Sequence, residues 1–267
     1  MGELVFVGLG LNDETNISLR GLEEARKADV VFAEHYTSLM PELSVQKLER
    51  LVDKRVYLVE RRNLEEEEGE IILEQAEKAR VVLLVPGDPL IATTHVYLRI
   101  RAHKKGIKTS VVHGASVISA VFGLSCLQNY KFGRSVTIPF RSNGSVSETP
   151  YNVVAENKKM GFHTLCFLDI KAEEKQYMTI KEGLNSLFTL ERRKRQGVIT
   201  RKTLAVGIAR AGSENPTLKA DFAYELLKYD FGAPPQSLVF PGKLHFMEAE
   251  ALITLANAPE SIREIPE

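Results

Sequence analysis

The sequence predicts an α/β protein built from two α/β domains, and three observations support this fold class. Apolar runs of strand length alternate with segments of helical periodicity along most of the 267 residues. Residues 81–85 are five consecutive apolar residues, which is typical of a strand covered on both faces, and Pro86 to Pro89 end that strand in a turn. A second series of strands and helices starts near Gly133.

The first predicted strand, residues 4–10, is apolar and ends in Gly-Leu-Gly. A helix follows it because Ser18 is a preferred capping residue and because apolar side chains recur behind it on one face. Those side chains are Leu19, Leu22, Ala25 and Ala28. Short apolar runs then predict strands at residues 30–33 and 56–59.

A charged helix is predicted next, and it leads into the strand at residues 81–85. Its apolar positions are Leu64, Ile71, Ile72 and Ala76. The first half continues with a helix at 94–105, a strand at 109–113 and an apolar helix at 116–124 that opens after Gly114. This order favours repeated βαβ units around a parallel sheet.

The second half follows the same logic. Its predicted elements are a strand at 135–140, a loop at 141–149, a helix at 151–160, a strand at 163–170, a helix at 179–195, strands at 203–211 and 237–240, and a helix at 248–256. The predicted domains are residues 1–114 and 135–267, joined by a connecting helix and linker at 115–134, with the ligand cleft between them.

The composition excludes several classes of protein. Lys plus Arg and Asp plus Glu are 35 each, so no basic surface indicates a nucleic-acid partner. No apolar run approaches the length of a membrane span, and the amino terminus lacks the layout of a signal peptide. We therefore expect a soluble cytoplasmic protein in which Cys126 and Cys166 are reduced, buried thiols.

The common cofactor and metal motifs are absent. The Gly8-Leu9-Gly10 turn lacks the third glycine of a dinucleotide fingerprint, and the chain contains no P-loop. The histidines show no metal-binding spacing, and no nucleophile elbow occurs. The remaining candidate for a ligand site is the set of strand ends, which carry small residues and few charges. Asp88 lies at the end of the strand at 81–85. In an α/β sheet this edge binds ligands, and its composition favours a compact, neutral or cationic ligand.

Four segments carry a family resemblance. Residues 86–95 read Pro-Gly-Asp-Pro-Leu-Ile-Ala-Thr-Thr-His, residues 8–11 Gly-Leu-Gly-Leu, residues 231–236 Phe-Gly-Ala-Pro-Pro-Gln and residues 241–245 Pro-Gly-Lys-Leu-His. Together they resemble the archaeal diphthine synthases, a branch of the tetrapyrrole methylase superfamily, and the similarity runs nearly end to end. Pro-Gly-Asp-Pro marks the superfamily, whereas Ala-Thr-Thr-His and Pro-Gly-Lys-Leu-His with Glu-Ala-Glu250 indicate the diphthine branch.

The resemblance implies two tetrapyrrole methylase-like domains that bind S-adenosyl-L-methionine in the cleft between them and release S-adenosyl-L-homocysteine. It further implies repeated methylation of the amino group on a modified histidine of translation elongation factor two, and a homodimer. The implied cofactor-binding residues are Leu11, Asp88, Ile91, Ser116, Val117, Leu168, Ala211 and Gln236. No metal and no catalytic side chain are implied. Residues 113–116 read His-Gly-Ala-Ser where relatives carry His-Ala-Pro-Ser, and Gln236 replaces a familiar histidine.

Other interpretations of these residues remain open. The chain is alternatively a corrin or porphyrin precursor methyltransferase of the same fold, or a non-catalytic cofactor-binding accessory module. Asp88 and Asp169 alternatively satisfy backbone donors at strand ends. His95 is alternatively a half-buried helix residue, and His113 a core histidine bonded to backbone. The basic residues 192–195 solvate a helix face or meet an acidic patch on a protein substrate.

Overall fold

The computed structural model describes residues 2–142 and 144–264. The chain divides into two compact units at Val117, and Lys171–Lys175 belong to the first of them. Helix α5 (Val117–Ser125) begins at that boundary. Within the residues described, no helix has both the length and the apolar character needed to cross a membrane.

The first unit contains a five-stranded sheet with the strand order β3-β2-β4-β1-β5. The strands are β1 (Glu3–Gly8), β2 (Val30–Glu34), β3 (Val56–Val59), β4 (Arg80–Val85) and β5 (Lys108–Val112). Every pairing in this sheet is parallel. The carboxyl ends of all its strands therefore meet at one edge, as the alternation of elements predicts.

Both faces of this sheet are covered. On β1, Val5 and Val7 belong to one apolar cluster, and Leu4 and Phe6 belong to another. Successive residues of a strand point to opposite faces, so the two clusters lie on opposite sides of the sheet. This explains why the central strands are apolar at nearly every position.

The helices of the first unit are α1 (Leu19–Lys27), α2 (Val45–Val52), α3 (Glu70–Ala76) and α4 (Val96–Lys104). The Ser18 hydroxyl caps α1 by accepting the Gly21 N–H, as predicted. Leu19 departs from the predicted buried face: it is 83% exposed at the first helical position. The expected helix through residues 64–76 is also interrupted, because a π-helical turn (Arg62–Glu66) precedes Gly69, which has a φ of +72°.

The second unit contains a five-stranded sheet with the order β11-β10-β12-β7-β6. Its strands are β6 (Val136–Ile138), β7 (Thr164–Leu168), β10 (Leu204–Ala209), β11 (Thr217–Phe222) and β12 (Gln236–Phe240). Two short strands, β8 (Ile170–Lys171) and β9 (Gln176–Tyr177), pair separately. The parallel arrangement inferred for this half is wrong, because only β6 and β7 pair in parallel.

Antiparallel pairing still brings the predicted strand ends together. Both β7 and β10 run antiparallel to β12, so they run in the same direction. Their carboxyl ends lie at the edge where β12 begins with Gln236, which pairs with Ala209.

The helices of the second unit, after α5, are α6 (Thr149–Met160), α7 (Ile180–Lys194), α8 (Ala223–Leu226) and α9 (Phe246–Ala256). A single apolar cluster includes residues of β7, α6 and α7, among them Cys166, Tyr151 and Leu184. Cys166 is buried as predicted, and burial raises the pKa of its thiol well above the usual range. Cys126 is exposed after the end of α5, which corrects the expectation of two buried thiols.

Candidate active site

Three glycines meet at the carboxyl edge of the first sheet. A Cβ atom built on Gly8 would lie 2.5 Å from the Gly87 carbonyl oxygen and 2.6 Å from the Gly114 nitrogen. A Cβ on Gly114 would lie 2.4 Å from the same carbonyl oxygen. The turns after β1, β4 and β5 therefore approach at backbone distance, which only glycine permits at Gly8 and Gly114.

A pair of backbone hydrogen bonds fixes two of these turns. The Gly87 N–H donates to the Gly10 carbonyl at 2.7 Å, and the Gly10 N–H donates to the Gly87 carbonyl at 3.3 Å. Both glycines have positive φ, +81° at Gly10 and +71° at Gly87. The strand-end signals that the sequence offers, Gly-Leu-Gly and Pro-Gly-Asp-Pro, thus form one bonded structure.

Asp88 lies directly after this bridge and is 6% exposed. Its Oδ1 accepts the Leu90 N–H at 3.0 Å, which fixes the turn, and its Oδ2 lies 2.7 Å from the His113 Nδ1. Asp88 therefore accepts a backbone N–H through Oδ1, as one interpretation of the sequence expected, but its Oδ2 contacts a side chain instead. The His113 side chain is 75% exposed, so the expectation of a core histidine bonded to backbone is wrong.

The other predicted residues of the first unit follow the same strand ends. Leu11 comes after the Gly10 bridge, and Ile91 is exposed after Asp88, with its N–H donated to the Asp88 carbonyl. Ser116 and Val117 are partly buried after β5, and Val117 begins α5. These five positions thus lie on the turns at one edge of the sheet, because β4, β1 and β5 are neighbours in it.

The three predicted residues of the second unit also share one sheet edge. Leu168 ends β7, Ala211 follows β10 and Gln236 begins β12. Both polar atoms of the Gln236 side chain form hydrogen bonds within this unit. Its Oε1 accepts the Ile180 N–H at 2.9 Å, and its Nε2 donates to the Gly232 carbonyl at 2.7 Å. It holds the start of α7 against the loop before β12.

Arg210 precedes Ala211 and shapes the same edge. Its φ is +51°, a conformation that is costly for a residue with a side chain. Its guanidinium donates to the carbonyls of Phe231 and Ala233 and to the Thr217 hydroxyl at 3.0, 2.7 and 2.6 Å. Arg210 therefore positions the loop that leads to Gln236, a role that the sequence pattern did not reveal.

The carboxyl-terminal Pro-Gly-Lys-Leu-His motif forms a buried polar network with His163. The His163 Nδ1 accepts the Gly242 N–H at 2.9 Å, and its Nε2 lies 3.0 Å from a Glu248 carboxylate oxygen. Burial lowers the pKa of His163, although Glu248 opposes that effect. The network borders a shallow pocket of about 390 Å³ whose lining includes Phe162 and His245.

Glu248 is the centre of this network and is 1% exposed. Burial alone would raise its pKa, but hydrogen bonds from Lys131 and from the backbone N–H groups of Gln128 and His245 outweigh burial, so the pKa is lowered. Among residues 2–142 and 144–264, no group of three or more His, Cys, Asp or Glu side chains has metal-binding geometry.

A second polar cluster, which the sequence analysis missed, lies at the same edge as Asp88. Glu34 ends β2, is 0% exposed and lies close to His95, which is 2% exposed. The half-buried helix position expected for His95 is wrong, since it is buried immediately before α4. The sequence signal for this cluster is an acidic residue, Glu34, that ends a short apolar strand.

Comparison with known proteins decides the family. The model of the tetrapyrrole (corrin/porphyrin) methylases matches residues 3–226. The diphthine synthase of Methanosarcina acetivorans is 48% identical over 266 residues, 98% of each chain. That of Methanothermobacter thermautotrophicus is 46% identical over 261 residues, again 98% of each. The crystal structure of a diphthine synthase superposes with a TM-score of 0.88 at 42% identity, covering 98% of both chains.

The chain belongs to the diphthine synthase family. Diphthine synthases are methyltransferases within the tetrapyrrole methylases, so this chain is a methyltransferase and its predicted α/β fold is confirmed. The relatives favour the diphthine branch over the corrin and porphyrin branch. Two sequence segments suggested this branch, and each contributes a histidine that contacts a buried glutamate. His95 of Ala-Thr-Thr-His lies near Glu34, and the N–H of His245 in Pro-Gly-Lys-Leu-His donates to Glu248.

Proposed function

We propose that this diphthine synthase relative transfers methyl groups from S-adenosyl-L-methionine to the amino group of an aminocarboxypropyl-histidine on translation elongation factor two. Repeated transfer would give diphthine, an intermediate of diphthamide biosynthesis. The observation that carries the proposal is the 48% identity to a diphthine synthase over 98% of both chains.

The described residues fit this cofactor. The glycine backbones at Gly8, Gly87 and Gly114 leave the sheet edge free of bulky side chains, and Asp88 supplies a buried carboxylate beside it. A carboxylate and backbone carbonyls suit a cationic ligand better than a polyphosphate. We propose that the contacts come from Leu11, Asp88, Ile91, Ser116, Val117, Leu168, Ala211 and Gln236.

When bound, S-adenosyl-L-methionine supplies an electrophilic methyl group on a positively charged sulfur. The protein's own task is to hold the acceptor amine in line with that methyl group and to keep water away. The acceptor nitrogen would gain the methyl group through its lone pair, S-adenosyl-L-homocysteine would be the leaving product, and an N–H proton would pass to solvent before a further transfer. A chain-terminal α-amino group has a pKa of about 7.7 to 8.0. The carboxylate of the aminocarboxypropyl group favours the ammonium form, so the neutral amine that reacts is a minor fraction near neutral pH.

We also infer a cytoplasmic homodimer that binds neither nucleic acid nor membrane. The dimer and the location rest on the resemblance to the family, and the equal numbers of acidic and basic residues support the absence of a nucleic-acid partner. Light scattering of the purified protein would show twice the mass of the 29.9 kDa chain. A single-chain mass at working concentration would contradict the dimer.

The function is tested by transfer of isotopically labelled methyl groups to purified archaeal elongation factor two that carries the aminocarboxypropyl group. Unmodified factor and uroporphyrinogen serve as control acceptors. Label on the modified factor alone would support the proposal. Label on uroporphyrinogen would move the chain to the tetrapyrrole branch, and cofactor binding without any transfer would favour an accessory module.

A further inference from the structure

The turn after β2 carries polar groups that the proposed cofactor site does not use. Strand β2 pairs in parallel with β4, and Ala33 lies beside Leu84. Glu34 and the turn behind it are therefore at the same sheet edge as Asp88. His95 is the last residue of the Ala-Thr-Thr-His segment and lies between the turn after β4 and the start of α4.

Glu34 organises this turn. Its Oε2 accepts the N–H groups of Tyr36 and Thr37 at 2.9 and 3.1 Å, and its Oε1 accepts the Thr37 hydroxyl. The same Oε1 lies 3.4 Å from the His95 Nε2, but these two atoms do not meet the geometry of a hydrogen bond. A fully buried carboxylate requires such partners, and here they fix the backbone from which the Tyr36 side chain leaves.

Two buried polar atoms of this cluster lack a hydrogen-bond partner within the described chain: the Tyr36 hydroxyl and the His95 Nε2. The Thr94 hydroxyl is close enough to the Tyr36 hydroxyl to lower its pKa, but the two groups do not meet the geometry of a hydrogen bond, and the Thr94 hydroxyl donates to Glu65 at 3.3 Å. The Tyr36 and His95 rings lie 6.5 Å apart. Native proteins leave few buried polar atoms unpaired, so two in one cluster indicate a ligand that supplies the missing partner.

The chemistry of the cluster suits an amine. Burial, reinforced by Glu34 and opposed by the neighbouring Thr94 hydroxyl, raises the pKa of the Tyr36 hydroxyl well above its usual range. The phenol therefore stays neutral, and its oxygen can accept an N–H from a primary or secondary acceptor amine whose lone pair is directed at the methyl donor. The Glu34 carboxylate behind it favours the partial positive charge that develops on nitrogen during methylation.

We propose that the Tyr36 hydroxyl contacts the acceptor amino group, and that Glu34 and His95 are positioning residues that hold Tyr36 in place. This inference rests on the proposed function and assigns the acceptor side of the same sheet edge. It differs from the cofactor contacts inferred by resemblance, none of which lies on the turn after β2.

The decisive variant is Tyr36→Phe, which removes one unpartnered oxygen and little else. We expect kcat with the modified elongation factor to fall about tenfold or more, the scale of one lost hydrogen bond in the transition state. The dissociation constant of S-adenosyl-L-methionine and the melting temperature should stay unchanged. The matched control is Tyr97→Phe, which loses an exposed hydroxyl bonded to Glu68 in the same unit and should leave kcat unchanged.

A double-mutant cycle tests the positioning role. If Glu34 acts through Tyr36, Glu34→Gln lowers kcat in the wild type but adds little to Tyr36→Phe. Wild-type kcat in Tyr36→Phe, with the wild type active, would overturn the acceptor subsite and leave the proposed function intact. Absence of methyl transfer by the wild type would overturn the proposed function and the subsite with it.

Discussion

At the scale of single residues, Asp88 combines burial, a turn hydrogen bond and a contact with an exposed histidine. The sequence predicted its position, because prolines on both sides and Gly87 end the strand at that point. The sequence did not show that His113 is its partner. That pairing depends on β5 lying beside β1 in the sheet, which is a tertiary fact.

Replacing Asp88 with alanine should raise the dissociation constant of S-adenosyl-L-methionine tenfold or more. The expected loss is about 1.5–3 kcal/mol, the range for a hydrogen bond to a charged group. Calorimetric titration of the purified variant measures it. Asp221→Ala is the control, because Asp221 lies on β11 and pairs with Lys219 at 3.1 Å. Equal affinity in wild type and Asp88→Ala would remove Asp88 from the cofactor site.

His163 should make stability depend on pH. Burial lowers its pKa in the folded chain, whereas in the unfolded chain it takes up a proton near pH 6.5. The unfolded state thus binds more protons as the pH falls below about 6.5, and the free energy of unfolding decreases by up to about 1.4 kcal/mol per pH unit.

Urea unfolding between about pH 7.5 and pH 5.5 checks the His163 prediction. His163→Gln lacks the titrating group, so its unfolding free energy should fall less steeply over that range than that of the wild type. Parallel pH profiles for the two proteins would show that His163 does not contribute.

At the scale of elements, the predicted strands match the structure wherever an apolar run ends in turn residues. Strand β3 has the predicted bounds, and β1, β4, β7 and β12 begin or end within a few residues of prediction. Strand β11 was missed because Lys219 and Asp221 interrupt its apolar positions. Helix α2 was missed although Ser44 caps it and Leu48 and Val52 are buried at helical spacing.

The direction of the strands in the second sheet was beyond the sequence pattern. A buried apolar run is compatible with parallel or antiparallel neighbours, because periodicity reports burial and not pairing. The missed strand β11 lies between β10 and β12 in the chain, and both β11 and β12 pair antiparallel with β10.

The meeting of three turns at Gly8 gives an element-scale prediction. Gly8→Ala would place its Cβ 2.5 Å from the Gly87 carbonyl oxygen, so the turns after β1 and β4 must separate. We expect a loss of stability of about 1–3 kcal/mol, as for other overpacked sites, together with weaker cofactor binding.

The matched control for Gly8→Ala is Gly123→Ala in α5. Nothing lies within 4 Å of a Cβ at that position. Alanine there should be neutral or stabilise the protein by about 0.5–1 kcal/mol, because it favours the helix. Thermal unfolding compares the two variants. Equal melting temperatures would contradict the close approach at Gly8.

At the scale of the whole molecule, two α/β units carry a family relationship that spans nearly the full chain. The five predicted cofactor residues of the first unit share one sheet edge, and the three of the second unit share another. The acceptor-side cluster of Glu34, Tyr36 and His95 lies on the first of these edges. Each unit thus presents its predicted functional residues where its strand ends meet.

The central claim is methylation of the aminocarboxypropyl-histidine, and mass spectrometry of the histidine-containing peptide of elongation factor two tests it most directly. The factor is incubated with S-adenosyl-L-methionine and either the wild type or Asp88→Ala. We predict successive methyl increments on the modified histidine with the wild type and a much slower increase with Asp88→Ala. An unmethylated histidine peptide, from a preparation that binds the cofactor, would contradict the account.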